Sequence, residues 1–103
     1  MEIRQNREGD KLTIEIEGRI DAITAQDLGK VLEGSLDGVK ELVFDLKNLE
    51  YTSSAGLREF LGAQQVMEEQ GSMLIRNVNE AVMDIFEETG FDEILDIENG
   101  GDR

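Results

Sequence analysis

Apolar residues recur along this chain with two different periods, and the places where the period changes mark out its elements. Leu12, Ile14 and Ile16 alternate with Thr13, Glu15 and Glu17, a period of two that gives an extended strand one apolar and one wet face. A shorter strand around Ile3 is expected to pair with it through Arg7-Glu8-Gly9-Asp10. Leu42-Val43-Phe44-Asp45-Leu46 is instead an almost unbroken apolar run, the pattern of an inner strand covered on both faces. Met73-Leu74-Ile75 reads in the same way, and Ile94-Leu95-Asp96-Ile97 predicts a last strand at an edge.

Between these strands the spacing becomes helical. Thr24 is placed to cap a first helix, with Asp27 completing a weak capping box; Leu28, Val31 and Leu32 form its buried stripe before Gly38 lets the chain exit. A second helix is predicted from Ala55 to Gln70, burying Leu57, Phe60, Leu61, the stem of Gln64 and Met67, and stopping at Gly71. Asn79 caps a third, whose Val82, Ile85 and Phe86 turn inward before Gly90. The order ββαβαβα(β) predicts a single compact α/β domain with three or more helices on a mixed, mainly parallel β-sheet. It would occupy residues 1–98. Asn99-Gly100-Gly101-Asp102-Arg103 reads as a flexible C-terminal tail.

Composition narrows the chemistry open to such a domain. At 103 residues there is one core and no room for a second. With no Cys and no His, disulfides, thiolate nucleophiles, imidazole bases and the usual zinc or haem ligands are excluded. The acidic residues show no calcium-loop spacing, so neither metal nor cofactor is expected. The 24 acidic residues against 10 basic give a formal charge of -14, which opposes attraction to nucleic acid and to anionic lipid. No stretch approaches the roughly 20 apolar residues of a membrane span, and Met1-Glu2-Ile3-Arg4-Gln5 lacks the profile of a signal peptide, so a cytoplasmic location without membrane insertion is expected.

Candidate chemistry gathers in Asp45-Leu46-Lys47-Asn48-Leu49-Glu50-Tyr51-Thr52-Ser53-Ser54-Ala55-Gly56-Leu57-Arg58. Two serines stand where a strand, through a short connection, enters a helix whose first turn carries unpaired N–H groups and a partial positive charge. A serine there could present its hydroxyl to a kinase, and the product phosphate would be favoured by the helix end. Alternatively either serine is an N-cap, worth about 1 kcal/mol. Gly56 either leaves backbone open to a partner or permits close helix–sheet packing. Arg58 is read as a phosphosite neighbour or as a surface residue offsetting Glu59, and Arg19 as the cation of an exposed pair.

Asp45-Leu46 followed by Leu49, Tyr51 and Ser53-Ser54-Ala55-Gly56-Leu57 resembles the hallmark segment of STAS domains, in particular the bacterial anti-sigma factor antagonists. Glu17-Gly18-Arg19-Ile20-Asp21-Ala22 before Thr24-Ala25 is similar to that family's other recurring loop, and Thr89-Gly90-Phe91 ahead of Ile94-Leu95 to its third-helix exit. The resemblance implies a STAS domain over residues 1–98 that acts as a binding switch without catalysis of its own. It implies that Ser54 is the phosphate acceptor, that Asp21 lies beside it, and that Ser53, Gly56 and Arg58 complete the phosphosite or the partner contact. The partner implied is an anti-sigma factor with serine kinase activity, and a serine phosphatase would reverse the modification. One departure is Ser53, where phosphorylated members usually carry Asp. It leaves open a second function, a never-phosphorylated scaffold subunit of a transport or signalling complex. An enzyme or nucleotide-binding protein is disfavoured, because there is neither a phosphate loop nor a nucleophile–base pair.

Overall fold

A computed structural model describes residues 1–98, so the tail expected over 99–103 lies outside the described residues. The elements follow as β1 (Glu2–Glu8), β2 (Lys11–Ile20), α1 (Thr24–Ser35), β3 (Glu41–Asp45), β4 (Leu49–Thr52), α2 (Ser54–Gln70), β5 (Ser72–Arg76), α3 (Glu80–Thr89), a 3-10 turn over Phe91–Glu93, and β6 (Ile97–Glu98). They build a mixed sheet in the order β1-β2-β3-β5-β6. The β1–β2 hairpin is antiparallel and every other pairing is parallel.

Strand β2 serves two partners, and this positions the functional end of the molecule. Its first half, Lys11 to Glu15, runs beside β3, whereas Gly18 to Ile20 runs beside β4. The register shifts between Gly18 and Arg19, and Gly18 sits at φ +99°, a left-handed conformation that a glycine adopts without a Cβ clash. β4 is the element that the sequence showed only as a connection. In it Leu49 and Thr52 are buried while Glu50 and Tyr51 are exposed, a segment too short to display the alternation of a strand.

All buried apolar side chains of α1, α2 and α3 join one cluster with Leu12, Ile14, Ile16, Leu42, Phe44 and Ile75 from the inward rows of the strands. At its centre the rings of Phe44 and Phe60 meet edge to face at 5.0 Å, and Phe60 meets Phe86 in the same way at 6.3 Å. β3 is an inner strand shielded on both faces, as its apolar run predicts, but the two faces are covered differently. Val43 is buried but lies outside this cluster, in the opposite row of the strand between its register neighbours Thr13 and Leu74. The next row of that face is polar, Glu15, Asp45 and Arg76 in register, so neighbouring strands rather than a helix shield Val43.

The last strand is also shorter than expected. Gly90 closes α3 at φ +79°, and the N–H groups of Ile94 and Leu95 then donate back to the Phe91 carbonyl at 3.1 and 2.9 Å. Spent on a local turn, these donors are lost to a ladder, and pairing with β5 is confined to Ile97 and Glu98. Leu61, Val31 and Ile85 prove only partly buried, while Ala25 and Ala63 complete the helical stripes because small side chains fit where the helices approach the sheet.

Candidate functional site

β2 and β4 end side by side, Ile20 opposite Thr52, and the Ser53 N–H donates to the Ile20 carbonyl at 2.8 Å. The loop carrying Asp21 and the turn carrying Ser53 and Ser54 therefore leave the sheet at one place. Ser53 has extended backbone (φ -83°, ψ 173°), and its Oγ accepts from the Gly56 N–H at 3.3 Å. It is the N-cap of α2. Ser54 is the first helical residue and is exposed; among the described residues its hydroxyl makes no hydrogen bond. The two serines thus divide the roles that the sequence left open between them. One oxygen is committed to capping and the other is free.

Gly56 is buried rather than open. A Cβ built there would collide with Thr52 Oγ1 and lie 2.7 Å from Ile20 Cγ2, so the missing side chain is what seats the first turn of α2 on the ends of β2 and β4. The close-packing alternative is the one the structure shows, and the open-backbone reading is corrected.

Thr24 is not the N-cap of α1 that the spacing suggested, and no capping box forms with Asp27. The anchoring group is Asp21, whose Oδ1 accepts from the N–H groups of Ile23 at 2.9 Å and Thr24 at 2.8 Å. Thr24 answers by accepting the Asp21 N–H on its Oγ1 at 2.8 Å, and its hydroxyl lies 3.1 Å from Asp21 Oδ1. The Thr24 N–H first, then the Thr24 hydroxyl, hold the Asp21 carboxyl below its ordinary range, with smaller help from Ile23 and Arg19. Asp21 is neither a bare solvated turn residue nor hydrogen-bonded to Ser54. It fixes the loop that runs beside Ser54 at the sheet end.

Three further side chains stand at this end. The Arg19 guanidinium lies 4.6 Å from the centre of the Tyr51 ring, its cross-strand partner, in place of the exposed ion pair expected for it. Tyr51 keeps 37% of its surface exposed, and Ile23, between Asp21 and α1, keeps 73%. Sequence reasoning missed Ile23; the available signal was that it falls outside the Ala25, Leu28, Leu32 stripe of the helix it precedes. Arg58 lies exposed on α2 one turn beyond Ser54.

Residues 3–96 match the family model described as Mlab, STAS domain. The chain belongs to the STAS domain family. It is 33% identical over 103 residues to the anti-sigma-B factor antagonist of Listeria monocytogenes, covering 96% of this chain and 88% of that protein. The solved anti-sigma factor antagonist SpoIIAA in its unphosphorylated form matches with a TM-score of 0.82 at 15% identity, over 98% of this chain and 90% of that one. The phosphorylated form of the Bacillus SpoIIAA gives 0.76 at 13% identity, over 98% and 93%. These two likenesses are of fold.

In this STAS domain the candidate site offers an exposed hydroxyl, with no base hydrogen-bonded to it among the described residues. No hydrogen bond among the described residues runs from Ser54 to a carboxylate, so the domain holds no group in contact to take the serine proton. Phosphoryl transfer at Ser54 would need the base and the phosphoryl donor to come from outside. What the domain contributes is presentation: an exposed oxygen at the start of a helix, at the end of the sheet where Ile23 and Tyr51 are also exposed.

Proposed function

We propose that this STAS domain is an anti-sigma factor antagonist, and that Ser54 is the residue through which its binding is switched off. Unphosphorylated, it docks on an anti-sigma factor with serine kinase activity, with Ile23, Tyr51 and Ser54 in the contact. The kinase supplies a nucleoside triphosphate and a base; Ser54 Oγ gives up its proton, attacks the γ-phosphorus, and the nucleoside diphosphate leaves. The phosphate adds about -1.5 to -2 charge in the middle of a partly apolar surface, and docking is lost. A serine phosphatase, by hydrolysing the phosphoserine, restores binding. The carrying observation is the division of labour between the serines, one capping α2 and the other exposed and unengaged.

The similarity to the Listeria antagonist supports this reading, as does the fold shared with a protein known in phosphorylated and unphosphorylated forms. With Ser53 in place of Asp the start of α2 that presents Ser54 is kept, because the Ser53 oxygen caps the helix as a carboxylate would. The direct test is a titration with the anti-sigma factor of the same organism. Ser54→Asp is expected to bind at least about tenfold more weakly than wild type, and Ser54→Ala to bind normally while taking up no phosphate by intact mass. Equal affinity of the two variants, or phosphate uptake by Ser54→Ala, would exclude the switch.

A further inference from the structure

Arg58 differs from the other arginines of the described residues. Arg4 pairs with Glu17 at 2.7 Å and lies beside Glu2 and Glu15. Arg7 donates to the carbonyls of Gly9 and Asp37, Arg76 faces Glu98, and Arg19 covers Tyr51. Arg58 is exposed, joins none of the ion pairs and makes none of the side-chain hydrogen bonds of the described residues. An unengaged guanidinium is unexpected in a chain with 24 acidic residues.

Its place on the helix accounts for this. The positions that a helical side chain can reach along its own surface are three and four residues away. For Arg58 these hold Ser54, Ala55, Leu61 and Gly62, with no carboxylate among them. Ser54 is the one polar neighbour. Side chains on a helix lean toward its N-terminus, so the Arg58 stem runs back over the turn that Ser54 begins. An acid placed four residues before a base is also the more favourable order of such a pair.

We propose that Arg58 is the internal counter-cation of a phosphate on Ser54, an inference that rests on the reading of Ser54 given above. The planar guanidinium can offer paired N–H donors to two phosphate oxygens, which a lysine ammonium cannot match in geometry. Phosphorylation then does two things to the docking surface. It adds negative charge, and it draws a cation that had been free for the partner into a contact within the domain.

The test installs phosphoserine at position 54 during translation and follows the phosphate by 31P NMR against pH, with no kinase or partner present. The phosphate dianion of the Arg58→Gln protein is expected to take up a proton about two- to fourfold more tightly than that of wild type, because a nearby cation favours the dianion. Arg58→Lys should keep part of the effect, and Arg19→Gln should leave the titration unchanged. Identical titrations for wild type and Arg58→Gln would overturn the inference, as would a shift produced by Arg19→Gln instead. Affinity for the anti-sigma factor, measured on the same samples, separates this from the underlying reading. Undiminished affinity of the phosphorylated wild type would remove the switch while leaving the Arg58 pair in place, and lost affinity with unmoved titrations would do the reverse.

Discussion

Asp21 would serve the proposed docking surface by holding backbone rather than by touching Ser54. Its Oδ1 gathers the N–H groups of Ile23 and Thr24, which fixes where Ile23 stands in the loop beside Ser54. Because those donors favour the carboxylate, the folded-state pKa lies below the unfolded one. The unfolded chain therefore takes up the proton first as pH falls. Asp21 stabilises the fold fully above the ordinary carboxylate pKa of about 3.9, and that contribution is lost as pH drops through the lower folded value. Asp21→Asn keeps the acceptor oxygen and removes the charge. Its thermal midpoint is expected to lie slightly below wild type at neutral pH and to converge with it in acid, once pH has fallen through the folded value, as followed by circular dichroism. Asp21→Ala loses the acceptor as well, so its midpoint should stay below that of Asp21→Asn at both pH values. Equal midpoints for all three proteins at neutral pH would show that the loop holds its shape without this cap.

Among the elements, α2 depends most on one contact, the seat of its first turn on the ends of β2 and β4. Gly56→Ala places a methyl group against Thr52 Oγ1 and 2.7 Å from Ile20 Cγ2, and both neighbours are buried. Overpacking of this kind costs about 1–3 kcal/mol, which should appear as a lower urea midpoint with an unchanged slope. A variant as stable as wild type would mean that α2 shifts to make room; slower phosphate uptake at Ser54 would then report the shift. Most elements were legible in the sequence for a simple reason. The alternation of Leu12, Ile14 and Ile16, a serine cap ahead of α2 and the Asn79 cap, and the stops at Gly71 and Gly90 are local signals, and each acts over one turn or one strand. What escaped depends on contacts remote in sequence. β4 is a strand only because the end of β2 lies free beside it after the shift at Gly18, and Val43 is buried by other strands rather than by a helix. Around the candidate site, the positions of Ser54 at a helix start and of Asp21 in the loop before α1 were legible through their motifs. Ile23 was not, since a lone apolar loop residue gains meaning only when Tyr51 and Ser54 are known to share its end of the sheet.

For the whole molecule, magnitudes decide how a phosphate can act. The chain carries a formal charge of -14, and the modification adds about -2 at most, a change of roughly one part in seven. The long-range field that steers a partner is set by the total, and it is damped beyond about 8 Å at physiological salt. Encounter should therefore be nearly as fast for the phosphorylated domain as for the unphosphorylated one. The lost affinity must arise after encounter, where a dianion meets the partner surface at contact distance and has to be desolvated against it. Stopped-flow association with the anti-sigma factor is thus expected to give rate constants within about threefold of one another, while dissociation becomes faster by about tenfold or more on phosphorylation. Both forms should lose association rate to a similar degree when salt is raised from about 50 to about 500 mM, since the same field steers both. If the loss of affinity fell mainly on the association rate, and diminished as salt was raised, the phosphate would be acting at long range, and the local model of the switch at Ser54 would have to be abandoned.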